Sequence, residues 1–155
     1  MRYLLAILAA YVGYRMVKKG YDMTQPQEVY LAKTIWGEAR GEGLKGMQAV
    51  ANVIMNRVSR GGWYGASVKD VVLKPYQFSC WNENDPNRAL LDAIGETTLN
   101  ASGAMSVAEA AINGTLRDIT GGATEYHNKN IKPNWNWDKL EQTTVIGNHI
   151  FYRSK

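Results

Sequence analysis

The chain contains one cysteine, Cys80, so an internal disulfide is excluded and packing with hydrogen bonds must hold the fold. Cys80 lies beside Trp81 with no base near it in sequence, and it reads as a small packing residue rather than a nucleophile. Histidine is equally scarce. His127 and His149 are far apart, without an H-E-x-x-H pair or a Cys/His cluster, so a zinc hydrolase would lack a recognisable ligand set. There is no G-x-S-x-G elbow and no phosphate-cradling glycine loop, which leaves serine and phosphoryl-transfer mechanisms without visible support. No metal and no cofactor is implied.

An excess of one charge is also missing once the first twenty residues are set aside. Arg2, Arg15, Lys18 and Lys19 account for the formal charge of +4, and residues 21–155 carry 14 basic and 14 acidic side chains. A nucleic-acid-binding domain normally carries a basic stripe, so no nucleic-acid partner is expected. The run YLLAILAAYVGY, residues 3–14, is apolar and flanked by these cations. Even extended to Val17 it falls short of the roughly 20 residues of a comfortable membrane span. It has the character of a signal-peptide core or a weak signal anchor, which predicts export or membrane association through residues 3–17. The alternative is a helix packed on the domain or on a partner. The chain therefore divides into an apolar segment at 1–20, a linker and helix start at 21–29, and a single domain at 30–155.

Local signals past the tail are mostly helical. Thr24 with Gln27, and Pro26 in the first turn, predicts a capped helix start. Leu31, Ile35, Glu38 and Glu42 then recur at helical spacing until Gly41-Glu42-Gly43 breaks the pattern. A second amphipathic helix places Leu44, Met47, Val50, Ile54 and Val58 inward and stops at Gly61-Gly62. Ser67 with Asp70 caps a short helix closed by Pro75. Asp85-Pro86 opens another, running to about Leu99, and Ser106 with Glu109 caps one more, ending near Gly114. TEYHN and TVIGNHIFYR have strand character, with KPNWNWDK between them. The fold class is α+β, mostly helical, with a small β element near the C-terminus.

Glu38 stands out because it shares a helix face with Leu31 and Ile35. Desolvation disfavours a charged carboxyl, and Glu42 one turn later adds like-charge pressure in the same direction. A glutamic acid kept protonated near neutral pH is what protonating a glycosidic oxygen requires. The simpler alternative pairs Glu38 and Glu42 with Arg40, Lys45 or another cation. Aromatic and amide side chains suit a sugar polymer: Trp36, Tyr76, Phe78, Trp81, Tyr126, Trp135 and Trp137 offer flat faces. Gln77, Asn82, Asn128 and Asn134 offer donors and acceptors. Trp36, in mid-helix, is expected in the core; Trp135 and Trp137, in a polar loop, are expected to be exposed.

Four ordered motifs add a resemblance. IWGEARGE (35–42) followed by GMQAVANVIMNRV (46–58), VVLKPYQFSCW (71–81), ATEYHNKNIKPNW (123–135) and IGNHIFYR (146–153) together resemble the spore-cortex-lytic and cell-wall hydrolase family over nearly all of residues 30–153. The resemblance implies a lysozyme-like, two-lobed α+β fold, a peptidoglycan glycan strand as substrate and Glu38 as general acid. By motif position it places Gln77, Phe78 and Ser79 on one wall of the cleft and Tyr126, His127 and Trp135 on the other. His149 is expected to be a structural hydrogen-bonding residue. Relatives often carry T-H-Y-H where this chain has Thr124-Glu125-Tyr126-His127, and no separate wall-binding module of the kind many spore enzymes carry is expected, so the resemblance extends to a phage lysin or a virion-carried wall enzyme.

The expected reaction is cleavage between N-acetylmuramic acid and N-acetylglucosamine. A lytic transglycosylase needs Glu38 alone, as acid and then base, and yields a 1,6-anhydro product. A hydrolytic muramidase needs a second carboxylate at a defined separation, with Glu42, Glu83, Asp85 and Glu125 as candidates. Glu42 is the possible supporting carboxylate, though its place at a helix end favours a structural role. A non-catalytic peptidoglycan-binding or virion structural protein is the competing class. The expected protein is a monomer, exported to the periplasm or wall and tethered by its N-terminal segment; carriage in a phage virion is the alternative.

Overall fold

The computed structural model describes residues 25–155. The apolar run at 3–17, the linker and the Thr24 cap lie outside the described residues. Among the described residues, no helix is long and apolar enough to cross a membrane.

Helix α1 (Gln27–Ala39) begins directly after Pro26, whose carbonyl accepts from the Val29 and Tyr30 amides. Tyr30, Leu31, Ile35 and Ala39 are buried along it. The break expected at Gly41-Glu42-Gly43 comes slightly earlier, and Glu42 falls off the helical spacing of Leu31, Ile35 and Glu38. Ala39 leaves helical geometry at φ −140°, and Arg40–Glu42 forms a separate 3₁₀ turn before α2 (Gly43–Arg60). Glu38 and Glu42 therefore do not stack one turn apart. The α2 face matches the pattern at Met47, Val50 and Ile54, but Leu44 at its start is 58% exposed. Gly61, at φ +63°, ends it as expected.

Helix α3 (Val68–Val72) is capped as predicted, with Ser67 Oγ accepting the Asp70 amide at 3.1 Å. The single helix expected between Asp85 and Leu99 is two. Asp85 Oδ1 accepts the Asn87 amide at 2.8 Å, α4 (Arg88–Ala93) follows, and extended Ile94 and Gly95 separate it from α5 (Glu96–Ala101). Helix α6 (Ala104–Ile112) starts before the expected Ser106–Glu109 cap, because left-handed Gly103 reverses the chain and Ser102 Oγ accepts the Ala104 amide.

The β element is a three-stranded antiparallel sheet in the order β1-β3-β2, with β1 Glu125–Asn128, β2 Leu140–Ile146 and β3 His149–Ser154. TVIGNHIFYR is thus a hairpin turning at Gly147-Asn148, rather than one strand. The α+β class read from the sequence is the class that forms.

Helix α2 joins the two halves. Met47, Val50 and Ile54 pack with Leu31 and Ile35 of α1 and with α6 in the helical core. Ala49 and Val53 pack with Ala123, Ile146 and Phe151 beneath the sheet. Period-two alternation does the rest: Tyr126 pairs with Phe151 on the face toward α2, while His127 and Tyr152 belong to the opposite face.

Candidate active site

Glu38 lies where the helical half meets the sheet. The end of α1 carries it there half-buried, and two donors fix it, one from each side. The Cys80 amide donates to Oε1 at 3.3 Å and the Tyr126 hydroxyl donates to Oε2 at 3.0 Å. The first donor is available because Cys80 lies within a short 3₁₀ helix (Ser79–Trp81) that follows Phe78, and the first amides of a helix have no partner within it. Gly37 allows the approach: a Cβ there would meet Cys80 Cβ at 2.9 Å. Trp81 secures the same segment, its indole N–H donating to Thr34 Oγ1 at 2.9 Å.

Burial, reinforced by the Glu38 charge, pushes the Tyr126 phenol well above its ordinary pKa, so it remains a hydrogen-bond donor at any working pH. Burial also pushes the Cys80 thiol up, again with Glu38 beside it. The neighbour of the carboxylate is an inert thiol, as the packing reading of Cys80 requires. His149 packs edge-on to Tyr126, with ring centroids 5.2 Å apart. Desolvation lowers its pKa against the opposing pull of Glu42 and Glu38. Its expected hydrogen-bonding role gives way to this aromatic contact beside the carboxylate.

Two of the other candidate carboxylates, Glu42 and Glu125, are bonded to partners away from Glu38. Glu42 accepts the Asn148 amide at 3.0 Å and Asn148 Nδ2 at 2.8 Å, and these two bonds lower its pKa. It clamps the β2–β3 turn. Glu125 accepts Arg57 Nη2 at 3.1 Å and the Tyr64 hydroxyl at 2.6 Å. Burial and this bond hold the Tyr64 pKa high. Asp85 caps Asn87, and Glu83 is exposed. Among the described residues, no three His, Cys, Asp or Glu side chains gather as a metal would need.

Three expected cleft residues are placed differently. Phe78 is 1% exposed, sealed in the core with the Arg57 guanidinium 5.2 Å above its ring, and has no face left for a ligand. His127 and Trp135 belong to a cluster with Trp137 and Tyr152 on the sheet face opposite Tyr126. His127 Nε2 meets the Tyr152 hydroxyl at 3.1 Å there, and strand alternation turns the ring away from Glu38. Trp135 and Trp137 are half-buried in this cluster rather than freely exposed. Gln77, half-buried, and Ser79, exposed, flank Phe78 in the loop that presents the Cys80 amide. Trp36 is half-buried against the core, with Arg40 stacked on it at 4.4 Å.

The sequence reading missed a polar row on α2. Gln48 donates to the Arg117 carbonyl, Asn52 accepts the Ile119 amide, and Asn56 donates to Asp118 and the Ala123 carbonyl. Buried Arg57 follows, donating to the Thr124 carbonyl at 2.7 Å. Together they fasten residues 117–125 and so aim β1, with Tyr126, at Glu38. The signal was present: an amide every fourth residue on an otherwise apolar helix is a row on one face.

This geometry can be set beside known proteins. Residues 41–152 match the Cell Wall Hydrolase family. The chain belongs to that family. Spore cortex-lytic enzymes of Bacillus cereus and Halalkalibacterium halodurans are each 34% identical to it over 136 residues, which is 87% of this chain. Those residues are 46% and 36% of the two relatives, so the chain spans less than half their length. Two solved structures share the fold. The catalytic domain of the Bacillus cereus SleB protein superposes with a TM-score of 0.63 at 30% identity, covering 82% of this chain and 90% of that one. The catalytic domain of the germination-specific lytic transglycosylase SleB from Bacillus anthracis gives 0.62 at 28% identity, covering 86% and 99%. The α+β, lysozyme-like arrangement expected from the motifs is therefore shared with these family members.

Proposed function

We propose that the protein cleaves peptidoglycan glycan strands between N-acetylmuramic acid and N-acetylglucosamine, as a lytic transglycosylase with Glu38 as its general acid and base. The observation that carries this reading is the hold on Glu38, with one donor on each oxygen, one from the helical half and one from the sheet. A protonated Glu38 gives its proton to the glycosidic oxygen as the bond to the muramic C1 breaks. The carboxylate left behind is stabilised by the Cys80 amide and the Tyr126 hydroxyl. It then takes the proton of the muramic 6-hydroxyl, whose oxygen closes onto C1. The 1,6-anhydro ring forms, the acid is regenerated and no water is consumed.

Membership of a cell-wall family and likeness to a lytic transglycosylase domain support this reading, as does the engagement of Glu42 and Glu125 elsewhere. Gln77 and Ser79 supply polar contacts from the loop beside Glu38, and Tyr126 orients the acid. Residues 30–155 act as the catalytic unit and a monomer, while residues 1–20 direct export and tether the protein through 3–17.

The full chain and its Glu38→Gln variant, incubated with purified peptidoglycan, test the proposal by mass spectrometry of the products. Anhydro-muramyl ends that vanish in the variant are expected. Reducing ends would refute the transglycosylase and require a second carboxylate. A well-folded chain that cleaves no wall type would leave a binding protein.

A further inference from the structure

A groove of about 1140 Å³ runs beside the proposed active site without including Glu38. The two share one short segment: Cys80 contacts Glu38, and the next residue, Trp81, lines the groove. Tyr30 and Leu99 contribute further apolar surface. Around them stand charges of both signs, the cations Lys33, Lys74 and Arg88 and the anions Glu83, Asp92 and Glu96. Arg88 is committed, bonding Asp92 at 3.0 Å and the Trp81 carbonyl at 2.7 Å. Lys33 is half-buried and forms no ion pair among the described residues. Tyr76 stands at the mouth, 87% exposed, with φ at +64°. A side chain with a Cβ is disfavoured in that left-handed conformation, yet here it presents a ring to solvent at the groove.

Apart from the lactyl carboxylate of muramic acid a bare glycan chain carries no formal charge, so it gives the groove's acidic side chains nothing to recognise. The peptide stem attached to muramic acid carries carboxylates and, on its diamino acid, an ammonium group. We propose that this groove binds the peptide stem of the strand being cleaved at Glu38, an assignment that rests on the wall-cleaving reading above. Lys33 meets a stem carboxylate, Glu96 meets the ammonium, and Tyr76 and Trp81 cover its apolar atoms. The enzyme then prefers peptide-bearing strands to bare ones.

The test compares stem-bearing strands with the same strands stripped by an amidase, using the full chain, Lys33→Gln and the exposed Glu96→Gln. Wild type is expected to show a lower KM on stem-bearing strands. Each variant should shrink that preference about fivefold, the scale of a single partly solvated charge contact. Equal KM on the two strands, or a preference untouched in both variants, overturns the proposal. Tryptophan fluorescence of the full-length Glu38→Gln protein with a synthetic stem tetrapeptide gives a readout independent of cleavage. Saturable binding weakened about fivefold by Lys33→Gln is expected, and no binding overturns the groove assignment. Peptide binding without cleavage of either strand would refute the role of Glu38 while leaving the groove assignment standing.

Discussion

Replacing Gly147 by alanine should cost far more than one methyl group at a hairpin turn suggests. Gly147 adopts φ +56°, and a Cβ built there overlaps the Glu42 carboxylate. Two penalties follow. Left-handed backbone with a Cβ costs about 1.5 kcal/mol. Expelling the carboxylate also breaks its bonds to the Asn148 amide and side chain, worth about 1.5 kcal/mol together because solvent reaches the site. Gly147→Ala should therefore lose about 3 kcal/mol, and Glu42→Ala about half of that. In a chain of this size the larger loss lowers Tm by roughly 6–12 °C. The double variant decides the matter. With Glu42 already gone, the methyl costs only its backbone strain, so the pair should lose about 3 kcal/mol rather than the roughly 4.5 of independent sites. Urea titrations followed by circular dichroism give all three values. Additivity within about 0.5 kcal/mol would refute the clamp.

Other expectations are simpler to check. Tyr126→Phe removes a hydrogen bond to the proposed catalytic carboxylate and should lower kcat about tenfold with little change in KM, measured by initial rates on soluble strands. Cys80 should resist a thiol reagent at pH 8 until the protein unfolds, because burial holds the thiol protonated; prompt labelling of native protein would contradict its placement. Acid should weaken the fold in two stages. The depressed His149 pKa makes the unfolded chain bind more protons below about pH 6.5, so Tm should fall as pH drops through that region. The depressed Glu42 pKa adds a second loss as pH falls below 4.5. A flat Tm between pH 7 and 5 would contradict the first sign, and a flat Tm between pH 5 and 3 the second.

What was legible in the sequence was local. Ser67 with Asp70, Gly61 and the strand character of TEYHN depend on neighbours within a few residues, and each formed as read. Glu38 could be singled out because apolar spacing and a carboxylate conflict within one turn. Glu42 could not be placed, because its partner Asn148 is 106 residues away and no local pattern encodes that contact. Ser106 and Glu109 matched a cap, but Gly103 reverses the chain first and the helix begins without them. Motif position led Phe78, His127 and Trp135 into one cleft. An aromatic ring in a polar loop can turn either way, and Phe78 turned inward under Arg57. The β1 alternation already contained the other answer, since Tyr126 and His127 are adjacent and cannot both face Glu38.

The strand order has a consequence for when the Tyr126–Glu38 contact can form during synthesis. The strand that carries Tyr126 has its sheet partner in β3, the last of the three to be made. A nascent chain that already displays Glu38 on a formed helix still lacks the template that holds Tyr126 against it. Tyr126 can be held against Glu38 through the sheet only once residues 149–154 are available to pair with β1. For the function proposed above, this order means that the last strand made completes the site.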